Sequence, residues 1–122
     1  MDIIVCHRSV TNRRIFANAL RKGGYETSVL CTSRSEAAEA LEGRGEALLI
    51  IQKEMVMQEG AMAVGMLRGR GEEEFTVLLV GYDFTEREAV QAIRQGAGGV
   101  LLLPFAPEEL HRQVERLYQE AA

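Results

Sequence analysis

Short apolar runs alternate with amphipathic stretches along this chain, and that alternation predicts a parallel sheet flanked by helices. The first run is Ile3-Ile4-Val5. Three more, Ala47 to Ile51, Thr76 to Val80 and Val100 to Leu103, read as strands covered on both faces by crossover helices, because no polar alternation interrupts them. The segment Tyr25 to Cys31 also reads as a strand, but it carries Glu26, Thr27 and Ser28. Its polarity predicts a place at the edge of the sheet.

Helices fill the intervals. The first places Ile15, Phe16, Ala19 and Leu20 on one stripe and stops at the Gly23-Gly24 pair. Ser33-x-x-Glu36 and Thr85-x-x-Glu88 have capping-box spacing, in which the hydroxyl accepts an orphan backbone N–H and the carboxylate reaches back to the cap. Each marks a helix start. The last helix has Pro107 just inside its start and Leu110, Val114, Leu117 and Tyr118 at helical spacing. After the third strand the alternation requires a helix with a Met62, Met66 and Leu67 face, diluted by Gly60, Gly65, Gly69 and Gly71. The stretch Gly69 to Glu74 reads as a solvated turn. The pattern sums to (βα)5, with no internal repeat and no interdomain linker.

The chain's 122 residues match one domain, and 47% hydrophobic residues supply a core without metal or disulfide staples. A single domain over 1-122 is expected. Fourteen basic against eighteen acidic residues give a net charge of -4, which lacks the basic excess of a nucleic-acid binder. Cys6 and Cys31 fit no metal-ligand or disulfide spacing, and no signal peptide or membrane-length apolar run is present. The expected setting is cytoplasmic, with no cofactor and no membrane contact.

In an open parallel sheet, ligands and catalysis lie beyond the carboxyl ends of the strands. The residues there are Cys6 and His7 after the first strand, Gln52, Lys53 and Glu54 after the third, Gly81, Tyr82 and Asp83 after the fourth, and Leu103 before Pro104-Phe105 after the fifth.

The run Gln95-Gly96-Ala97-Gly98-Gly99-Val100-Leu101-Leu102-Leu103-Pro104-Phe105 resembles the ending of response regulator receiver domains, in which GA, two polar residues, an aromatic and K-P-F follow the fourth helix. The resemblance covers the whole chain. It implies a flavodoxin-like α/β three-layer sandwich with five parallel strands in the order 2-1-3-4-5, and a cis bond before Pro104. Counting back from Gly60, which fits the glycine of the family's D-x-M-M-P-x-x-D-G run, puts Gln52 at the phosphoacceptor aspartate and Val56 at the proline. Counting back from Gly96 puts Gly81 at the family's Thr/Ser; Cys6 and His7 fall on its acidic pair that holds magnesium, Leu103 on its lysine, and Val100 on its aromatic switch.

Those departures remove the chemistry that the resemblance implies. Aspartyl phosphate forms when a carboxylate attacks a phosphoryl donor in line while Mg²⁺ and a lysine neutralise the transferred oxygens. Gln52 offers a neutral amide, Cys6 and His7 lack the hard oxygens Mg²⁺ prefers, and the apolar Leu103 would fill the pocket. The chain is therefore expected to be no enzyme, and to act as a phosphorylation-independent signalling module.

Other readings come from single residues. Cys6 at a strand end invites a cysteine-dependent phosphatase or phosphocarrier, but C-x5-R spacing puts Asn12 where the arginine belongs, with Arg13 one residue late. A buried structural thiol is the plainer account. His7, Glu54 and Asp83 could converge as a substitute metal site, although nothing in the sequence fixes their geometry. A nucleotide or flavin site would need a glycine in His7-Arg8-Ser9-Val10-Thr11-Asn12, and there is none. His111 falls on a charged, exposed helix face, Met55, Met57, Met62 and Met66 read as packing, and Glu72-Glu73-Glu74 as a solvated loop.

Function is then expected in protein contact, with a partner or a second copy, through the fourth helix, fifth strand and fifth helix, roughly Thr85 to Leu117. The fifth strand is a sheet edge in the expected order, and flanking charges of both signs, Arg87, Arg94, Glu109, Arg112, Glu115 and Arg116, can pair across a two-fold axis. That arrangement resembles the dimer face of many receivers.

Overall fold

The computed structural model describes residues 1–58, 61–62 and 75–121. Its elements are β1 (Asp2–Cys6), α1 (Val10–Lys22), β2 (Val29–Cys31), α2 (Arg34–Leu41), β3 (Ala47–Gln52), a 3-10 turn (Lys53–Met55), β4 (Met57–Gln58), β5 (Ala61–Met62), β6 (Phe75–Gly81), α3 (Glu86–Arg94), β7 (Gly99–Leu102) and α4 (Pro107–Ala121). Five strands form one parallel sheet in the order β2-β1-β3-β6-β7, which is the expected 2-1-3-4-5 when only sheet strands are counted. The helices α3 and α4 are the fourth and fifth of the expected alternation.

Alternation along each strand divides the core into two layers. Ile3, Val5, Leu48, Ile50, Leu78 and Val80 point to the side covered by Phe16 and Leu20 of α1 and by Leu110, Val114 and Leu117 of α4. Ile4, Cys6, Leu49, Ile51, Val77 and Leu79 point the other way, against Ala37 and Leu41 of α2 and Ala92 of α3. Both faces of the central strands are thus dry. The sheet's polar edge is where the composition of Tyr25 to Cys31 places it, but only Val29–Cys31 pairs with β1.

Local signals set the helix ends. Ser9, Ser33 and Thr85 each accept a backbone N–H three residues on, and Thr85 with Glu88 completes the reciprocal box. In the other candidate box, the Glu36 carboxylate reaches past Ser33 to accept the Thr32 N–H at 2.8 Å. Gly23 caps α1, and Gly24 follows at φ +89°, a left-handed conformation that favours glycine. The bond between Leu103 and Pro104 is cis.

Three expectations need correction. Ile15 is 47% exposed rather than part of the α1 stripe, because only Phe16, Ala19 and Leu20 turn inward on that helix. His111 is half-buried, its Nε2 2.6 Å from the Ala19 carbonyl oxygen, because α4 packs across the end of α1 and the ring meets glycine at position 23. Met62 lies in a strand, paired antiparallel with Met57, instead of opening a helix. Its fellow residues Met66 and Leu67, the diluting glycines from Gly60 to Gly71, the Gly69 to Glu74 turn and Glu72-Glu73-Glu74 lie outside the described residues. Met55 is buried and Met57 packs against the core, as the packing reading of the methionines expects. None of the described helices is long and apolar enough to cross a membrane.

Gly98 brings the backbone close against the core. A Cβ there would stand 2.6 Å from Leu117 Cδ2 and 2.7 Å from Thr76 Cγ2, and Leu117 is fully buried. Gly98→Ala is therefore expected to destabilise the domain by about 1–3 kcal/mol through overpacking. Urea unfolding with an unchanged m-value measures it, and a midpoint equal to wild type would contradict the crowding.

Candidate functional site

The strand pairings bring the predicted positions to one end of the sheet. Cys6 is in register with Ile51 and Cys31, Gln52 with Val80, and Gly81 with Leu102, so the carboxyl ends of β1, β3, β6 and β7 lie side by side. The Leu103 N–H donates to the Gly81 carbonyl oxygen at 2.8 Å and closes that row.

Cys6 is buried beneath this end. Its Sγ lies 3.2 Å from the Ser33 carbonyl oxygen and 3.4 Å from Met55 Sδ. Burial, reinforced by Cys31 and Glu36, pushes the thiol up to about 12, which leaves no thiolate for nucleophilic attack at neutral pH. The geometry gives the phosphatase or phosphocarrier reading no support.

His7 is buried as well, and both ring nitrogens are engaged. Nδ1 accepts the Ser9 N–H at 3.0 Å, so a neutral ring carries its proton on Nε2. The Asn12 Nδ2 donates to the Tyr82 hydroxyl at 2.9 Å and lies 3.3 Å from Nε2. The Arg13 guanidinium donates to the carbonyl oxygens of His7 and Arg8 at 2.6 and 3.1 Å. Gln52 is half-buried, and its Oε1 accepts the Arg8 N–H at 3.1 Å.

Leu103 has joined the core layer under α1 and α4, with Phe105 stacked on Phe16 beside it. Val100, half-exposed on β7, packs against the opposite layer. This end of the sheet offers Mg²⁺ poor ligands: a thiol bound to neighbours, an imidazole with no free nitrogen, and an amide already accepting. Hard anionic oxygens are what that ion needs. The substitute metal site of His7, Glu54 and Asp83 does not assemble, because the Asp83 carboxylate turns to Lys53 at 2.9 Å. Among the described residues no group of three His, Cys, Asp or Glu side chains is placed to hold a metal ion.

Sequence reading placed Lys53 at the end of the third strand and gave it no role. It is 5% exposed, and its ammonium sits among the Asp83 carbonyl oxygen at 2.5 Å, the Asp83 carboxylate and the Glu88 carboxylate at 3.3 Å, with the Phe84 ring 4.8 Å away. Burial pulls the ammonium's pKa down, but the hydrogen bonds to Asp83 and Glu88 outweigh it and leave the pKa raised. A lysine directly after an apolar strand that is followed 30 residues on by an acidic pair was the available signal.

Burial holds the His7 pKa below its ordinary value; Glu54 opposes this and Arg13 adds to it. The unfolded ring takes a proton below about pH 6.5 while the folded one resists, so stability is full above that pH and declines as pH falls toward the folded pKa. Between about pH 7.5 and about pH 5.5, unfolding should take up as much as about one more proton in wild type than in His7→Gln. Urea midpoints across this range test it, and parallel pH profiles of the two proteins would refute the assignment.

The Response regulator receiver domain profile matches residues 3–115. The chain is 26% identical over 117 residues to the chemotaxis protein CheY1 of Helicobacter pylori, covering 94% of each. Its fold superposes on the receiver domain of Francisella response regulator 1452 with a TM-score of 0.81 at 17% identity, over 99% of this chain and 98% of that one. It also superposes on the Saccharomyces cerevisiae Ssk1 receiver domain, whose structure was solved together with the histidine phosphotransfer signaling protein Ypd1, with a TM-score of 0.71 at 16% identity over 90% and 83% of the two chains. With most of its length matched by the family and its strands in the order just described, the chain is a member of the response regulator receiver domains of two-component signalling.

Proposed function

We propose that this receiver domain signals without accepting phosphate, as a phosphorylation-independent module acting through protein contact. The observation that carries the reading is the occupancy of the strand ends: Gln52 presents an amide, already bound to the Arg8 N–H, where the family resemblance places the phosphoacceptor. Around it Cys6, His7, Gly81 and Leu103 supply no carboxylate, no hydroxyl and no cation to hold a phosphoryl group.

The contact surface in this reading is the face of α3, β7 and α4. A groove of about 620 Å³ runs there, lined by Phe84, Ala89, Val100, Leu102, Arg112 and Arg116 among others. Val90, Ile93 and Leu102 are exposed along it or beside it. Arg87 and Arg94 flank Val90 on α3, and Glu109, Arg112 and Glu115 stand exposed on α4. Arg116 is already engaged, donating to the Gly98 carbonyl oxygen at 2.9 Å and pairing with Glu120, while Gln113 reaches the Val100 carbonyl oxygen at 3.4 Å. These two side chains cover part of the β7 edge, which opposes strand addition and leaves the groove as the docking feature. Because its rim carries both signs of charge, the occupant we favour is a second copy, in an isologous contact. A phosphotransfer protein, as crystallised with Ssk1, is the other occupant a test must distinguish.

Incubation with acetyl phosphate and Mg²⁺ is expected to leave the intact mass unchanged, for wild type and for Gln52→Asp alone. A hydroxylamine-labile phosphoryl adduct on wild type would overturn the first half of the reading, and efficient labelling of Gln52→Asp would show that the rest of the site still supports phosphoryl transfer. Sedimentation at micromolar concentration tests the second half: Arg94→Glu and Arg112→Glu should each weaken self-association by about three- to thirtyfold, the range of a rim charge pair to a partly desolvated one. A strict monomer that also binds no phosphotransfer protein through these arginines would remove the surface from consideration.

A further inference from the structure

Lys53 and Gly81 act as one structural unit. A Cβ at position 81 would stand 3.2 Å from Lys53 Cδ, 3.4 Å from Lys53 Cγ and 3.4 Å from Phe84 Cε2. The absence of a side chain thus leaves the lysine stem uncrowded on its way from the end of β3, past the end of β6, to the start of α3, where a Cβ would force it to shift by a few tenths of an ångström. At the far end, the three N–H groups of the ammonium meet three acceptors: the Asp83 carbonyl oxygen, the Asp83 carboxylate and the Glu88 carboxylate. Glu88 also accepts the Thr85 N–H at 2.8 Å, so a single carboxylate joins the buried lysine to the N-cap of α3.

We propose that Lys53, threaded past Gly81, is a positioning residue that clamps the segment from Tyr82 to Glu88 in one conformation and so presents the α3 face permanently. The proposal rests on the reading of that face as the contact surface. Its physical basis is the concentration of these contacts in one segment. If residues 82–88 swung away, the ammonium would lose all three acceptors and the Phe84 ring at once and exchange charge-assisted hydrogen bonds for water. Asp83 is largely exposed, with 88% of its side chain accessible, so its carboxylate contributes little on its own. Its backbone oxygen and the Glu88 carboxylate, 18% accessible, are the stronger restraints. The Phe84 ring, packed over the ammonium, adds a cation–π contact from within the same segment.

Amide hydrogen exchange over residues 82–88 tests the clamp, with β1 and β3 as the internal measure of an intact fold. Lys53→Met keeps most of the stem and removes the charge, and Gly81→Thr crowds the passage. Each should raise exchange at 82–88 by about tenfold while β1 and β3 change by less than about twofold. The double variant should be no looser than the worse single one, because both disable the same clamp. Should Lys53→Met fail to fold, Glu88→Gln, which keeps an acceptor for the Thr85 N–H, should still raise exchange about threefold. Unchanged exchange at 82–88 in a folded Lys53→Met, or in Glu88→Gln, overturns the proposal. Loosened exchange in Lys53→Met together with arginine variants that leave association untouched would retain the clamp and reject the α3 face. The reverse pair of results would retain the face and reject the clamp.

Discussion

A parallel sheet covered on both faces leaves its strands no lateral place for polar chemistry, and that constraint organises the rest of this molecule. Every side chain of β1 from Ile3 to Cys6 and of β3 from Ala47 to Ile51 is buried, on one layer or the other. Polar function is confined to the residues that follow each strand, where backbone groups emerge from the ladder and helices begin. Four such exits lie side by side here, so a change at one is felt at its neighbours. Gln52 illustrates this, since its amide is held by the backbone that leaves β1 rather than by its own strand.

Within that row the side chains are held by fixed contacts. His7 is neutral between a backbone donor and a carboxamide, Cys6 is a protonated thiol against a carbonyl, and Leu103 is core. Each is satisfied internally, so none needs an ion or a phosphoryl group to complete it. Lys53, a buried charge at this end, is matched by protein acceptors on the neighbouring loop. A pocket built this way has few states to choose among.

How much of this the sequence discloses depends on the range of the physics involved. Runs such as Ala47 to Ile51 and caps such as Thr85 with Glu88 are local, and they are legible because strand burial and N-cap hydrogen bonds leave their signature within a few residues. The family pattern places Cys6, His7, Gln52, Gly81 and Leu103 in one row because strand order is a property of the fold. What remained hidden is long-range. Nothing near Lys53 announces that it will be buried, since its acceptors are 30 and 35 residues away. His111 reads as exposed because the contact that covers it comes from the end of α1, 92 residues earlier. Ile15 misleads for the opposite reason, since an apolar residue adjoining a buried stripe need not be on it. The Tyr25 to Cys31 strand is overlong in the sequence, since only Val29–Cys31 pairs with β1.

Gly81 shows how a position that the family resemblance reads in one way has a further consequence in the fold. From the resemblance it is a missing hydroxyl. In the fold the same glycine borders a lysine stem, which a Cβ at 81 would approach to 3.2 Å and push aside by a few tenths of an ångström. The two positions therefore have to be weighed together: a side chain at 81 would crowd Lys53, and removing Lys53 would take from Asp83 and Glu88 the cation they share. Two positions that the linear sequence separates by 28 residues, 53 and 81, thus carry one physical consequence.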